Sequence, residues 1–353
     1  MAVANAHGRR FQKHLAKLKV DGYWVSHIPD LFYLTGYGAE SCWGFFGKRR
    51  AALFVPMLAV EQVSALAKGF EIIQLKKLSE VYAVVLDYVV KAGWKTIGYD
   101  PSHATEASIL GLRKVSGNKV KWVPAPGATI PLRVKKDSKE LIALRRAGHV
   151  VVQGFNHMKR IARPGMRECD LAAEFEAYIR KHGAAKASFD SIVAAGGNAA
   201  YPHYITGNRI LRKNEMVLCD IGALVDGYCS DLTRTFFLGT ISPLGRKVYE
   251  TVSRAQKLAI QAVKPGVKAA QIDRIARDEI ERAGYGRRFI HSTGHGVGVE
   301  IHEAPWVGAT SQDVLEAGMI ITVEPGIYLQ GWGGVRIEDT LLVTKTGHEI
   351  LTK

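Results

Sequence analysis

Short apolar runs alternate with stretches of helical periodicity through the first third of the chain. The apolar runs, rich in β-branched and aromatic residues, predict strands at Gly22–Ser26, Ala51–Val55, Glu71–Leu75, Thr96–Asp100 and Lys119–Val123. Between the strands, apolar residues at helical spacing predict helices over Leu58–Lys68, Leu78–Lys91 and Pro101–Val115. Such alternation is typical of an α/β layer with a largely buried sheet.

A segment rich in proline and glycine separates this region from the rest of the chain. Regular structure is interrupted by Pro124, Pro126, Gly127 and Pro131. A new helix signal then begins, because Asp137 stands three residues before Glu140, the spacing of a capping box. We therefore predict a smaller α/β domain over residues 1–130 and a second domain over residues 131–353.

The second domain mixes helical and strand-like patterns, with helices in excess. Helical periodicity continues from residue 137 and recurs over Asp170–Lys181, Leu244–Val263 and Ala269–Ala283. Strand-like runs are interleaved at Glu215–Gly222, Cys229–Leu238, Met319–Val323 and Val335–Val343. This domain is predicted to be α+β.

Four features of the second domain recur in the same order about 100 residues later. The matched pairs are Pro164-Gly165 with Pro265-Gly266, Gly183 with Gly284, His203 with His302, and Cys219-Asp220-Ile221-Gly222 with Val323-Glu324-Pro325-Gly326. Their offsets are 101, 101, 99 and 104 residues. The pattern indicates an internal duplication, with a site on the pseudo-two-fold axis between the halves.

Two aspartates flank a turn signal in the first half of this duplication. The dipeptide Asp226-Gly227 predicts a β-hairpin with these two residues in the turn. Asp220 and Asp231 then lie diagonally on one face of the hairpin. Two buried carboxylates so close together need cations to offset their repulsion. The alternative is that one aspartate faces solvent and the other pairs with Arg234.

Glu324 and Glu338 repeat this arrangement in the second half. The glycines expected in the loop between their strands are Gly326, Gly331, Gly333 and Gly334. His295, set among glycines, adds an imidazole. Four carboxylates and one imidazole suit two divalent cations, with Mn²⁺ favoured and Co²⁺ or Zn²⁺ as alternatives. Two such ions activate a water molecule and polarise a carbonyl group.

Composition and charge narrow the class of protein. The 353 residues are 47% hydrophobic and 23% charged, which excludes disordered and fibrous proteins. No secretory or membrane-spanning segment is found, and the four cysteines form no C-x-x-C pair, so we expect a soluble cytoplasmic protein. The net charge of +15 permits a polyanionic partner. Residues 1–136 carry +11 of this charge, which indicates a basic accessory domain.

The segments around the acidic residues resemble the pita-bread metallopeptidases, which include methionine aminopeptidase, aminopeptidase P and Xaa-Pro dipeptidase (prolidase). These segments are CDIGALVDGYCSDLTRTF, STGHGVGVEIHEAP, TVEPGIY and GGVRIEDT. The front segment GYWVSHIPDLFYLTG is similar to the amino-terminal domain of the proline-specific branch and of creatinase. The resemblance implies a pita-bread catalytic domain over about residues 137–353, a creatinase/prolidase-type domain before it, and a homodimer.

The resemblance also implies a role for each site residue. The metal ligands would be Asp220, Asp231, His295, Glu324 and Glu338, with Asp231 and Glu338 bridging. His203 and His302 match the histidines that contact substrate and stabilise the tetrahedral intermediate. Glu324 matches the proposed proton shuttle, and Arg336 matches an arginine that holds a ligand carboxylate in place.

The function implied is hydrolysis of the bond between an N-terminal residue and a following proline. We expect a dipeptidase, with aminopeptidase P on longer peptides as the alternative. Trp306 stands where many relatives have an arginine that helps to bind a dipeptide's carboxylate. Methionine aminopeptidase is a weaker alternative, since those enzymes usually lack such a front domain. A nucleic-acid-binding protein on the same fold is disfavoured by the full ligand set.

Overall fold

A computed structural model describes residues 6–353, and the chain divides into one unit that ends at Arg133 and another that covers Val134–Lys353. The helices of the first unit are α1 (Ala6–Leu18), α2 (Ile28–Thr35), α3 (Val60–Leu66), α4 (Val81–Lys91), α5 (Glu106–Ser116) and α6 (Ile130–Arg133). Its strands are β1 (Gly22–Val25), β2 (Trp43–Gly47), β3 (Ala51–Pro56), β4 (Glu71–Leu75), β5 (Thr96–Tyr99) and β6 (Lys121–Pro124).

The first unit is built on a six-stranded mixed sheet of order β4-β3-β2-β1-β5-β6. Strand β2 runs antiparallel to both neighbours, whereas the other pairings are parallel. Its core is aromatic, with Trp24, Phe45 and Phe54 buried. The five strands expected from the sequence are present. The elements β2, α1 and α2 were not predicted, although α1 carries Phe11 and Leu15 at helical spacing on its buried face. Glycines interrupt the aromatic residues of β2, and α2 is only eight residues long.

The second unit carries four helices and thirteen short strands. The helices are α7 (Ser138–Ile161), α8 (Glu168–Lys181), α9 (Pro243–Ala262) and α10 (Ala269–Arg282). The strands are β7 (Lys186–Ala187), β8 (Ile192–Ala195), β9 (Met216–Ile221), β10 (Ala223–Val225), β11 (Tyr228–Cys229), β12 (Leu232–Phe237), β13 (Gly294–Gly296), β14 (Glu303–Val307), β15 (Ile320–Val323), β16 (Gly326–Leu329), β17 (Gly333–Arg336), β18 (Asp339–Val343) and β19 (His348–Ile350). Helix α7 begins at the predicted capping box, in which Asp137 and Glu140 cap each other's backbone amides.

The predicted duplication is visible in matching contacts of the two halves. Gly165 follows α7 at positive φ and donates its amide to Leu211 O at 3.0 Å. Gly266 follows α9, also at positive φ, and donates to Leu315 O at 2.8 Å. Each half therefore ends its first helix in the same turn and ties that turn to an equivalent point of the chain.

Each half also contains one long hairpin that is interrupted midway. In the first hairpin, Val225 pairs with Tyr228 around the predicted turn, and the same register continues to Asp220 opposite Thr233. The interruption lies at Gly222, where an added Cβ would stand 2.3 Å from Ser230 O. The residue that breaks the strand is thus a glycine that allows two backbones to approach closely.

The second hairpin corrects one expectation. Its register runs without change from Val323 opposite Asp339 to Leu329 opposite Gly333, so Gly326, Gly333 and Gly334 are strand residues and not a loop. A Cβ on Gly334 would stand 2.1 Å from Ala199 O. Glycine is required there by close backbone packing, which the sequence alone cannot distinguish from a turn.

None of the helices within residues 6–353 has the length and apolar character that crossing a membrane requires. The thiols of Cys42, Cys169, Cys219 and Cys229 are all free.

Candidate metal centre

The four acids predicted as ligands lie at the interruptions of the two hairpins. Asp220 is near the end of β9, and Asp231 lies in the gap between β11 and β12. Glu324 directly follows β15, and Glu338 lies in the gap between β17 and β18. A break in strand pairing lets a side chain leave the regular alternation of the sheet. The interruptions in strand pairing therefore explain locally why these acidic side chains can converge.

Hydrogen bonds join the two hairpins at these breaks. The Glu338 amide donates to Thr233 O at 3.0 Å, and Thr340 Oγ1 donates to Asp231 O at 2.8 Å. Thr235 Oγ1 donates to Arg336 O at 3.0 Å. The interruptions of the two halves are thereby placed against each other, which brings acids that are about 100 residues apart into one cluster.

His295 directs one ring nitrogen at this cluster. Its Nδ1 lies 2.9 Å from Gly296 O, and because a carbonyl only accepts, Nδ1 carries the proton. Nε2 then presents its lone pair, 3.5 Å from Asp231 Oδ2 and 3.4 Å from Glu324 Oε1. Burial lowers the pKa of His295 to about 4, so the ring is neutral at physiological pH. A neutral imidazole held by its other nitrogen is the form that binds a metal ion.

The buried acids repel one another. Burial and the charges of Asp220 and Glu324 raise the pKa of Asp231 well above its ordinary value. Burial together with Asp231 and Glu324 does the same for the pKa of Glu338. Burial raises the pKa of Glu324 to about 8, against the opposing effect of Arg336. Protons or cations must therefore supply the positive charge that lets these acids lie together.

Two buried carboxylate oxygens test whether the cluster fits metal ions. Asp220 Oδ1 and Glu338 Oε1 are buried and have no hydrogen-bond donor among the described residues. Ligand atoms of Asp231, His295 and Glu338 all lie within 4.8 Å of one another. Unsatisfied buried oxygens are costly unless a cation or proton meets them. The donor set, rich in oxygen with one imidazole, fits divalent cations.

The acids form the base of a cavity of about 460 Å³. His203 and His302 both line it, together with Trp306. The His302 ring lies with its centroid 4.4 Å from that of His295. All five predicted ligands, both predicted histidines and Arg336 therefore border one space, which is the geometry that a metal-assisted reaction at a small substrate requires.

Behind the acids lies a hydrogen-bond chain of which only Arg336 was predicted from the sequence. Arg336 donates to Asp220 Oδ2 at 2.6 Å, to Tyr328 Oη at 2.8 Å and to Thr233 Oγ1 at 3.1 Å. Tyr328 Oη in turn lies 2.8 Å from His291 Nε2. The sequence signal that could have indicated this chain was Gly326. It pairs with Arg336, and a side chain there would occupy the space of the Tyr328 hydroxyl.

Between about pH 6.5 and 8, the metal-free protein should lose roughly 2 kcal/mol of stability through Glu324 alone as the pH rises, and the raised pKa values of Asp231 and Glu338 act in the same direction. Glu324 has a pKa of about 8 in the fold against an ordinary value of 4.5, so its stabilising proton is present at low pH and lost as the pH passes 8. His291 and His295, with pKa values lowered to about 4 from 6.5, favour the opposite trend only below pH 6.5. Urea unfolding in EDTA at several pH values measures this, and a flat or rising stability across the window would contradict it. Added Mn²⁺ should abolish the decline.

Comparison with known proteins agrees with this geometry. Residues 142–345 match metallopeptidase family M24, and residues 9–135 match the creatinase/prolidase N-terminal domain. The Xaa-Pro dipeptidase of Pyrococcus furiosus is 36% identical over 97% of this chain and 96% of its own length.

Solved structures extend the likeness to the fold. The Xaa-Pro dipeptidase from Bacillus anthracis superposes with a TM-score of 0.94 at 35% identity, covering 98% of this chain and 97% of that one. The X-Pro aminopeptidase from Thermotoga maritima gives 0.90 at 28% identity, covering 97% of each chain. The predicted fold class is confirmed: a pita-bread catalytic domain follows a creatinase/prolidase-type α/β domain. The chain belongs to metallopeptidase family M24, which implies divalent metal ions, and its clustered carboxylates and histidine could hold them.

Proposed function

We propose that the protein hydrolyses the bond between an N-terminal residue and a following proline, with dipeptides as the preferred substrates. The observation that carries the proposal is the cluster of four buried or partly buried acids and one neutral imidazole that line a cavity together with His203 and His302. The relatives named Xaa-Pro dipeptidase, similar over nearly their whole length, support the choice of substrate.

The five clustered ligands would hold two divalent ions, of which Mn²⁺ fits an oxygen-rich set best and Co²⁺ or Zn²⁺ are alternatives. When bound, such ions supply Lewis acidity to water and to the scissile carbonyl. His302 and His203 would donate hydrogen bonds to the carbonyl oxygen as its charge grows. Glu324 would pass a proton to the leaving nitrogen, which needs one because proline leaves as a secondary amine.

Apolar side chains in the cavity wall favour a proline ring. Phe189, Ile192 and Ile301 line the same space as the acids. A prolyl nitrogen has no hydrogen to donate, so the site needs no acceptor for it and can present carbon surface instead. This supports a preference for proline after the scissile bond.

Longer peptides are the second candidate substrates, as for an aminopeptidase P. Trp306 is 52% exposed and lies nearly parallel to the His302 ring, so it offers no charge to a dipeptide's carboxylate. Arg336 is already bonded to Asp220. A second cavity of about 520 Å³ shares Asp190 and His203 with the first. It offers room for the additional residues of a longer peptide substrate.

Hydrolysis of Ala-Pro and Ala-Pro-Ala with Mn²⁺, each with an EDTA control, tests both candidates. We expect both peptides to be cut when Mn²⁺ is present and neither to be cut in EDTA, and we expect Ala-Pro to have the higher kcat/KM. Cleavage of the tripeptide alone would replace the dipeptidase with the aminopeptidase assignment. Salt-dependent retention of RNA or DNA without any metal-dependent hydrolysis would favour the nucleic-acid-binding alternative.

We also propose that the protein is a cytoplasmic homodimer. The four free thiols support a reducing compartment, and the dimer is inferred from the family resemblance.

A further inference from the structure

A buried ion pair outside the metal cluster joins the start of the second unit to the segment that carries His302. Lys136 Nζ donates to Glu303 Oε2 at 3.0 Å, and the two side chains are only 1% and 5% exposed. Burying two charges costs solvation that their attraction rarely exceeds, so such a pair contributes more to a fixed arrangement than to net stability. Its place in the fold therefore needs an explanation.

The Glu303 carboxylate braces a tight segment of backbone. Its Oε1 accepts the Glu300 amide at 3.1 Å, while the Gly298 amide donates to Glu300 O at 3.0 Å. A Cβ on Gly298 would stand 2.5 Å from a Glu303 carboxylate oxygen, so only glycine leaves space for the acid. The carboxylate thus fills the interior of the turn over residues 298–303.

That turn sets the position of His302 relative to the metal cluster. Glu303 begins β14 and pairs with Gly296 of β13, the residue after His295. The rings of His302 and His295 are 4.4 Å apart. Lys136 is itself held in place, because its amide donates to Gly318 O at 2.8 Å.

We infer that Lys136 is a positioning residue for His302, acting through the Glu303 carboxylate that shapes the turn. Without the ammonium, the buried carboxylate would lose the cation that pairs with its Oε2 and would turn toward water, and the turn would relax with it. His302 would then lie away from the carbonyl oxygen it is proposed to stabilise. The effect on catalysis rests on the proposed function.

The test compares Lys136→Met with Lys135→Met in Mn²⁺-dependent hydrolysis of Ala-Pro. Lys135 is the adjacent lysine and pairs with Glu316, but those side chains are 48% and 54% exposed. We expect K136M to lower kcat about 100-fold with KM nearly unchanged, since a displacement near 1 Å costs about that much. K135M should match the wild type. Equal kcat for K136M and wild type would overturn the inference.

A double-mutant cycle separates positioning from a general structural defect. If Lys136 acts through His302, the K136M change should have little further effect in a His302→Ala background. Additive losses, or a parallel loss of Mn²⁺ binding by calorimetry, would overturn the inference.

Thermal melting checks the fold, and Glu303→Gln, which keeps the shape of the acid, replaces K136M if that variant does not fold. If the wild-type protein shows no activity, the proposed function is contradicted and not the positioning role of Lys136. In that case the ¹⁵N imidazole chemical shift of His302, compared between wild type and K136M, would still report any displacement of the ring.

Discussion

Replacing Asp231 with asparagine should abolish Mn²⁺-dependent cleavage of Ala-Pro while the protein remains folded. Asp231 lies at the centre of the cluster, buried and 3.5 Å from His295 Nε2. Metal ions contribute several kcal/mol of transition-state stabilisation, so their loss corresponds to a fall in kcat/KM of about 1,000-fold or more. Because burial and the neighbouring carboxylates raise the pKa of Asp231 and disfavour its charged form, a neutral asparagine there should leave the melting temperature in EDTA unchanged or higher.

Asp226→Asn is the matched control for this variant. Asp226 lies in the turn of the same hairpin, is exposed, and has a positive φ that asparagine tolerates. It should retain full activity. Undiminished hydrolysis by the Asp231 variant would falsify the assignment of this cluster as the metal centre, as would wild-type activity that survives EDTA.

Replacing Arg336 with methionine should destabilise the metal-free protein by up to about 3 kcal/mol, because the Asp220 charge that it leaves uncompensated is only partly exposed to water. Arg336 donates to Asp220, Tyr328 and Thr233, and it is buried. Activity with Mn²⁺ should fall by about 10- to 100-fold, as expected for a residue that orients a ligand carboxylate. Lysine should not rescue the loss, since its donors all sit on one nitrogen and cannot reproduce the planar guanidinium fork, whose separate nitrogens reach Asp220, Tyr328 and Thr233.

Urea unfolding in EDTA and in Mn²⁺ measures this second effect. The deficit should be smaller in Mn²⁺, because divalent cations replace the missing positive charge beside Asp220. Arg145→Met is the control, since Arg145 forms a two-pronged pair with Glu349 at the surface and should cost about 1 kcal/mol or less. A deficit as small as that of the control would contradict the proposed role of Arg336.

The hairpins mark where prediction from sequence succeeds. Asp226-Gly227 determines the turn, and the two-residue period of a strand then fixes every pairing as far as Asp220. The same reasoning failed at Gly333 and Gly334, because the sequence does not distinguish a glycine needed for close backbone packing from a glycine needed for a turn. In the first unit, β2 escaped prediction since Gly44 and Gly47 interrupt its aromatic residues.

The supporting contacts of the site were beyond sequence reasoning for another reason. Tyr328 and His291 are 37 residues apart, and Lys136 and Glu303 are 167 residues apart. No local pattern relates such residues, because their contact exists only after the sheets have packed. Polar residues buried in an apolar run signal that a partner is needed but not which partner it is.

The sequence by itself predicted which residues carry the proposed chemistry: the duplicated order of histidines and acids, together with the family resemblance, indicates one shared site, since four clustered carboxylates need cations or protons to offset their charge. Only the tertiary structure decided how that site is held. Packing of the two halves places the hairpin breaks against each other, aims His295 Nε2 at the acids, and assigns Arg336 to Asp220. The physical reason is that local periodicity depends on residues that are neighbours in the sequence. The direction of a buried side chain depends instead on contacts with residues that are distant in the sequence and meet it only in the folded chain.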